Sequence, residues 1–488
     1  MSVDDVSPTM SVLEFVRQRT GCMGTKEGCA EGDCGACTIV IGEQRQGRTI
    51  LKPVNACIQF MPTLDGKAVF TIEYLRKNDG ELHPVQESFI KNHAAQCGFC
   101  TPGFVMSLWA LYLERAGQNE LVPPDEASVR RAITGNLCRC TGYRSIVDAG
   151  KQMFDLPVIS FDRAELARSL ASLVPPEMPE SSDMSGATPY QFQGGKFFAP
   201  RTLDELTALR VSMPTSTILA GGTDVGLWVN KQFRELAEIV YTGEVAELHA
   251  ISEDSTSLTI GAAVTLTDAY SSLRAHYPEM NEMWERFASL PIRNVGTLGG
   301  NIANGSPIGD SMPALIALGA RVTLAKPNRS REMLLEELYI GYQKLAMLPD
   351  EVLVSIRIPK PLPRLIFRVY KLSKRFDSDI SAVCAAFALN LDGLLIANIR
   401  IAFGGMAATP KRASRTEDIL VGRRWDESAM QLAIASLSRE FSPLSDLRAS
   451  SQYRMQAACN LLRRFYLETR LENPVEADKL TVFSGAAS

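Results

Sequence analysis

The sequence has no apolar run approaching the roughly 20 residues that a membrane-spanning helix needs, which argues against an integral membrane protein. It has no excess of positive charge. Lys and Arg number 51 against 55 Asp and Glu, a net charge of −4, so nothing points to nucleic acid as a partner. The first residues, Met-Ser-Val-Asp-Asp, lack the basic and apolar regions of a secretory signal. Cysteine is almost missing from the last 300 residues, where only Cys384 and Cys459 occur. Those two and Cys22 read as ordinary core thiols. Apolar residues make up 45% of 488, enough for three or four domains with cores of their own. The expectation is a soluble cytoplasmic protein.

What the chain does have is eight cysteines in two sets of four before residue 141. Cys29, Cys34, Cys37 and Cys57 read C-x4-C-x2-C-x19-C. Cys97, Cys100, Cys138 and Cys140 read C-x2-C-x37-C-x-C. The first is the plant-ferredoxin spacing for a 2Fe–2S cluster, which takes four thiolates. Gly24, Gly28, Gly32 and Gly35 lie among its ligands. A loop wrapped round a cluster needs positive φ and backbone N–H groups near sulfur, and glycine permits both. Zinc and disulfides are the rival readings, although structural zinc sites usually show paired short spacings.

The second set is less specific alone, and a zinc ribbon or a redox dithiol stays open. Helical patterns precede each pair, at 85–93 and 126–133, and follow each pair, at 104–113 and 145–154. The spacing predicts a small bundle of two similar halves, each presenting two thiolates at a helix start. The positive helix end there favours thiolate. Unpaired thiolates in such number suit a reducing compartment.

The segment Gly-Thr-Lys-Glu-Gly-Cys-Ala-Glu-Gly-Asp-Cys-Gly-Ala-Cys-Thr (24–38), Gln-Cys-Gly-Phe-Cys-Thr-Pro-Gly (96–103) and Gly-Asn-Leu-Cys-Arg-Cys-Thr-Gly-Tyr (135–143) together resemble the iron–sulfur part of the molybdenum hydroxylases. The resemblance runs over essentially the whole chain and is closest to the small subunits of bacterial xanthine dehydrogenases. It implies a multidomain α+β fold. A β-grasp, ferredoxin-like 2Fe–2S domain would span 1–76 and a helical 2Fe–2S bundle 77–160. A linker would occupy 161–188, centred on a Pro-, Ser- and acid-rich stretch at 174–188. A vanillyl-alcohol-oxidase-like FAD domain would follow at 189–362, and a flavoprotein C-terminal domain at 363–488.

Two glycine-rich segments lie past that stretch, Ser-Thr-Ile-Leu-Ala-Gly-Gly-Thr-Asp-Val-Gly (216–226) and Arg-Asn-Val-Gly-Thr-Leu-Gly-Gly-Asn-Ile-Ala-Asn-Gly-Ser-Pro-Ile-Gly-Asp (293–310). Neither is a Rossmann Gly-x-Gly-x-x-Gly. By themselves they are phosphate-binding turns or plain tight turns between strands. The resemblance makes them FAD loops. It implies that Ala220, Gly221, Gly222 and Thr223 cradle the pyrophosphate, with Gly226 ending that segment. Thr297, Gly300, Asn301 and Asn304 contact the cofactor from the second loop, and Asp310 holds one of its polar groups. Ala288, Leu353 and Lys371 also match flavin contacts of the family. Asp224, Phe287 and Tyr342 fall where the family places the nicotinamide nucleotide, and the stretch 372–379 matches a mobile loop governing that face. Taken alone, its mixed charges make a solvated loop.

Farther on, apolar runs at 381–391 and 394–404 join at Asp392-Gly393, a hairpin signal. Helical runs follow at 426–440 and 449–471, with no catalytic constellation. Two departures from the family stand out. Only seven residues precede the first predicted helix, so the usual N-terminal hairpin is short of sequence. Nothing resembles a molybdopterin-binding region.

The resemblance therefore implies an electron-transfer half. A molybdenum-cofactor partner subunit would pass electrons to the second cluster, the ferredoxin-type cluster, FAD and then NAD+. The substrates would be hypoxanthine and xanthine, in a heterodimer or heterotetramer. The same module in an aldehyde or N-heterocycle hydroxylase, or a non-redox zinc scaffold, are the alternatives.

Overall fold

The computed structural model describes residues 1–45, 47–76, 80–118, 121–173 and 189–480. The stretch 174–188, expected to be linker, lies outside the described residues. The fold is multidomain α+β and its described residues divide into two compact units. Unit one comprises residues 1–246, 265–267 and 288–297; unit two comprises 247–264, 268–287 and the residues from 298 onward.

Unit one begins with the helix Val12–Gln18, capped by the Ser11 hydroxyl, which accepts from the Glu14 N–H at 3.1 Å. A three-stranded antiparallel sheet follows, in the order Arg48–Asn55, Thr38–Arg45, Ala68–Phe70. Its apolar side holds Ile39, Ile41 and Val54 against Leu13 and Val16 of the helix. Among the described residues, none before Val12 adds a strand to this sheet.

Four helices come next: Pro84–Lys91, Thr101–Ala116, Glu126–Ile133 and Arg144–Gln152. The second is apolar nearly all round and forms their core through Phe104, Leu108, Trp109 and Tyr112, all buried. A helix buried on every side is the expected outcome of such a composition.

One expected boundary is corrected here. Residues 161–173 do not form linker: they carry the helix Arg163–Ala171. Asp162 caps it by accepting from the Glu165 N–H at 2.8 Å, and Leu166 and Leu170, one turn apart, bury one face. Arg163 ties it to the carbonyls of Thr49 and Leu113 at 3.1 and 3.0 Å. The apolar pair and the cap were legible signals, hidden by the proline-rich stretch beside them.

Unit one ends with a sheet ordered Tyr190–Phe192, Gly195–Phe198, Glu238–Tyr241, Thr217–Leu219, whose last three strands run parallel. Unit two contains a five-stranded antiparallel sheet, ordered Arg329–Leu334, Arg321–Lys326, Val352–Pro359, Ser257–Gly261, Ile251–Glu253. It also contains a four-stranded antiparallel sheet, ordered Ile366–Leu372, Val383–Asp392, Leu395–Gly404, Lys411–Arg412. Asp392 pairs with Leu395, so the expected hairpin forms with Gly393 and Leu394 as its two loop residues, Gly393 taking the positive φ of 57°. The helices Glu427–Glu440 and Ser451–Thr469 share a core with this sheet, in which Phe387 stacks on Phe465 at 4.8 Å.

Candidate redox centres

The first thiol set sits on the frame of the three-stranded sheet. Cys29 and Cys34 lie in the loop after Val12–Gln18, Cys37 directly precedes the strand Thr38–Arg45, and Cys57 follows the strand Arg48–Asn55 in a short 3-10 turn. Cys37 and Cys57 are each only 2% exposed. The four sulfurs converge: the Cys34 and Cys57 thiols hydrogen-bond to the Cys29 sulfur, and the Cys57 thiol also to that of Cys37. Sharing protons, two thiols are held low and two high. Cys29 and Cys37 fall because neighbouring thiols donate to them; Cys34 and Cys57 rise because theirs donate, with burial adding to the rise. Backbone N–H groups of Cys34 and Glu31 also point at the Cys29 sulfur, at 3.3 and 3.5 Å. Converging sulfurs with N–H donors are the donor set an iron–sulfur cluster takes.

The second set lies at two helix starts. Cys100 occupies the cap position of Thr101–Ala116, and Cys138 and Cys140 precede Arg144–Gln152. Cys97 and Cys140 are exposed, free thiols that hydrogen-bond to each other. The Cys100 thiol hydrogen-bonds to the Cys138 sulfur and is pushed up to about 12 by burial and by that hydrogen bond. Burial works against the Cys138 thiolate, yet the Thr141 hydroxyl and N–H, at 3.1 and 3.4 Å, bring it below the usual thiol range. Among the described residues no three His, Cys, Asp or Glu side chains are grouped as a single-ion site needs.

The motif glycines mark where the loops of the two sets cross. A Cβ on Gly35, between Cys34 and Cys37, would collide with the Gly135 carbonyl. One on Gly103, just after Cys100, would collide with the Gly35 carbonyl. Backbone approaches this close exclude any side chain.

The predicted flavin residues divide between the units. In unit one, Ala220–Thr223 form the turn between the strand Thr217–Leu219 and the short helix Val225–Asn230. A Cβ on Gly221 would collide with the Val295 carbonyl, and Gly222 has φ 75°. Gly226 lies 2.9 Å from the Ile58 carbonyl, measured from the Cβ it lacks. Gln59 donates to the Gly221 carbonyl at 3.2 Å, and Asn230 donates to the carbonyls of Ala30 and Cys57 at 3.1 and 2.7 Å. The turn is therefore bare backbone packed beside the first thiol set. Sequence reasoning missed Gln59 and Asn230, whose partners lie more than 160 residues away. Asp224 is exposed at the start of its helix. Ala288 sits at φ 52°, a conformation that costs an alanine about 1 kcal/mol. Thr297 bridges Thr265.

In unit two the helix Leu298–Asn304 carries Gly300, Asn301 and Asn304. The Asn301 Oδ1 is buried and has no partner among the described residues, a gap that a bound polar group would fill. Asp310 is 1% exposed, with Oδ2 2.5 Å from Lys371 Nζ and Oδ1 2.6 Å from the Ser381 hydroxyl. Each of its oxygens thus has a protein partner and keeps capacity for a further hydrogen bond. Leu353 lies on the strand Val352–Pro359. Phe287 closes the helix Asn281–Arg286, and Tyr342 is 60% exposed in the turn after Tyr339–Gly341.

The stretch 372–379 is anchored. Arg286, itself buried, donates to the carbonyls of Phe376 and Lys371 and to the Ser373 hydroxyl at 3.0 to 3.1 Å. Nothing in the sequence pattern marked Arg286 for that role.

Known proteins match this arrangement region by region. Residues 71–151 match the family described as a 2Fe-2S binding domain. Residues 190–361 match the FAD binding domain in molybdopterin dehydrogenase, and 368–469 match the CO dehydrogenase flavoprotein C-terminal domain. This chain is an iron–sulfur and flavin module of the molybdenum hydroxylases. The module is 31% identical to the xanthine dehydrogenase of Calliphora vicina and 33% to that of Drosophila subobscura, over 94% of its own length and 38% of theirs. Against the xanthine dehydrogenase/oxidase of Gallus gallus the values are 30%, 95% and 39%. It thus spans under two-fifths of the length of these relatives.

Two solved structures share part of its fold. A chain of the carbon monoxide dehydrogenase from Hydrogenophaga pseudoflava aligns with TM-score 0.52 and 28% identity, over 55% of the module and 94% of that chain. A chain of quinoline 2-oxidoreductase from Pseudomonas putida 86 aligns with TM-score 0.52 and 26% identity, over 58% of the module and 100% of that chain. The 2Fe-2S match over the second thiol set displaces the zinc-scaffold reading. No helix among the described residues is long and apolar enough to cross a membrane.

Proposed function

We propose that the module carries electrons for a xanthine dehydrogenase, from a molybdenum-cofactor partner through two 2Fe–2S clusters to FAD and NAD+, during oxidation of hypoxanthine and xanthine. The carrying observation is the convergence of two separate four-sulfur sets whose loops cross at Gly35, Gly103 and Gly135, with the flavin turn packed on the first. Bound clusters supply one-electron chemistry, and bound flavin converts it to two-electron chemistry. Cys29, Cys34, Cys37 and Cys57 ligate one cluster, and Cys97, Cys100, Cys138 and Cys140 the other. The bare turn at Ala220–Thr223 and Gly226 admits the pyrophosphate of FAD to backbone N–H groups. Thr297, Gly300, Asn301, Asn304, Ala288, Leu353 and Lys371 complete its contacts, with the Asn301 Oδ1 gap in support. Asp310, which also binds Lys371, holds a polar group of the cofactor, while Asp224, Phe287 and Tyr342 serve the nicotinamide nucleotide. Eleven cysteines without a disulfide suit the cytoplasm.

Similarity to chains of a quinoline oxidoreductase and a carbon monoxide dehydrogenase supports a second reading, the same module serving an aldehyde or N-heterocycle hydroxylase. Anaerobic purification with metal, sulfide and flavin analysis tests the shared part. About four irons, four sulfides and one FAD per chain are expected; zinc without flavin would reject it. Xanthine-driven and NADH-driven assays with the co-purified partner then separate the two readings.

A further inference from the structure

The two ligand loops are joined by a direct hydrogen bond: the Leu137 N–H, adjacent to Cys138, donates to the Cys34 carbonyl at 2.9 Å. The link between the two sets is therefore all covalent bonds except for this one bond. It runs from the Cys138 sulfur through its own backbone nitrogen and Leu137, then across the bond to Cys34 and its sulfur. Electron tunnelling passes more readily through bonds than across gaps, so a joint of this kind governs how fast the two ends exchange electrons.

The neighbouring residue holds that joint in place. Asn136 is 2% exposed, and its side-chain amide is used on every side. Its Nδ2 donates to the Gly35 carbonyl at 3.1 Å and to the Thr38 hydroxyl at 3.3 Å. Its Oδ1 accepts from the Ser107 hydroxyl at 2.6 Å, and its own N–H donates to the Ile133 carbonyl at 2.9 Å. One side chain thus ties the Cys138 loop, the Cys34 loop and the helix that starts at Thr101 to a common point. Gly35 and Gly135 let the backbones come close enough for it to do so.

We infer that Asn136 is a positioning residue for electron exchange between the two thiolate sets, setting the Leu137–Cys34 bond through which they couple. The inference rests on the eight cysteines holding two clusters, as proposed above. Without Asn136 the Gly35 carbonyl keeps the Thr38 hydroxyl and N–H, at 2.7 and 3.1 Å, and the 135–137 segment loses its side-chain tie to the first loop. Both clusters then assemble but exchange electrons slowly.

The test uses the full chain, purified anaerobically, as wild type and as Asn136→Asp, Asn136→Ala and Ser107→Ala. Asn136→Asp keeps the acceptor for Ser107 and removes both donated bonds. Each protein is assayed for iron and sulfide, titrated for the two midpoint potentials, and mixed with substoichiometric dithionite for rapid-freeze EPR. The expected result is full cluster content, with potentials unchanged in Asn136→Ala and Ser107→Ala, and with electron redistribution slowed about tenfold in the Asn136 variants at matched driving force and less in Ser107→Ala. Weaker magnetic coupling between the two reduced clusters should accompany it. An unchanged rate and coupling in cluster-replete Asn136→Asp would overturn the inference. If both Asn136 variants fail to assemble, Ser107→Ala decides: wild-type exchange in that variant overturns the inference, and slowed exchange supports it. A wild type without iron would instead reject the underlying cluster reading.

Discussion

The two thiol sets each place four sulfurs, on opposite kinds of scaffold. The first is built on strand ends, with Cys37 and Cys57 buried at 2% exposure. The second sits at helix starts, with Cys97 and Cys140 open to the surface. Burial and N–H donors are the levers by which protein tunes such groups. The first scaffold encloses two of its sulfurs, and the second leaves two of its sulfurs at the surface.

The strongest way to break this comparison is to remove one sulfur from each set. Cys57→Ser should lower iron from about four to about two per chain, and Cys140→Ser should do likewise while sparing the first set. Iron analysis with EPR of the surviving cluster checks both. Loss of both clusters from either change would show that the scaffolds do not stand apart. In the assembled enzyme, Cys100→Ser should stop partner-driven reduction while leaving NADH–dye activity largely intact.

A second prediction concerns packing. Gly35→Ala would place a methyl against the Gly135 carbonyl at φ 67°, for an expected loss of about 3 kcal/mol or more, read as a fall in the urea midpoint.

A comparable effect should come from acid. Glu43 lies on the strand Thr38–Arg45, paired to Lys52 at 2.7 Å. Burial alone would raise its pKa, but Lys52 and Lys67 outweigh it and hold the carboxyl at about 2, against 4.5 ordinarily. A depressed folded-state pKa contributes stability above pH 4.5 and loses it as the pH falls toward 2. The contribution is about 3 kcal/mol at most. Acid unfolding followed between those values should therefore release the first set's sheet before the helical bundle, and Glu43→Gln should flatten the dependence.

The smallest effect is the control. Gly98, between Cys97 and Cys100, has φ 79° but open space where a Cβ would go. Gly98→Ala should cost only about 1 kcal/mol. A loss as large as that of Gly35→Ala would erase the distinction between a tight loop and an open one.

Much of this was legible in the residues. The helical patterns on either side of each cysteine pair and the hairpin at Gly393 are local signals, carried by residues within a few positions of one another. The helix Arg163–Ala171 carried such signals too, but a strong compositional cue nearby masked them. The side chains that join the loops were not legible. Asn136 reaches Gly35 across 101 residues, Asn230 reaches Cys57 across 173, and Arg286 reaches Phe376 across 90. An asparagine or arginine in isolation has no pattern that names so distant a partner.

The sequence by itself determined which sulfurs belong together and which turns must be glycine, because ligand number and backbone φ are properties of short segments. Only the tertiary structure decided that Gly35 meets Gly135, that Asp310 turns to Lys371 and Ser381, and that the turn at Gly221 packs on Gln59. Those choices depend on how buried polar groups find partners when distant segments come together, and no local rule sets that.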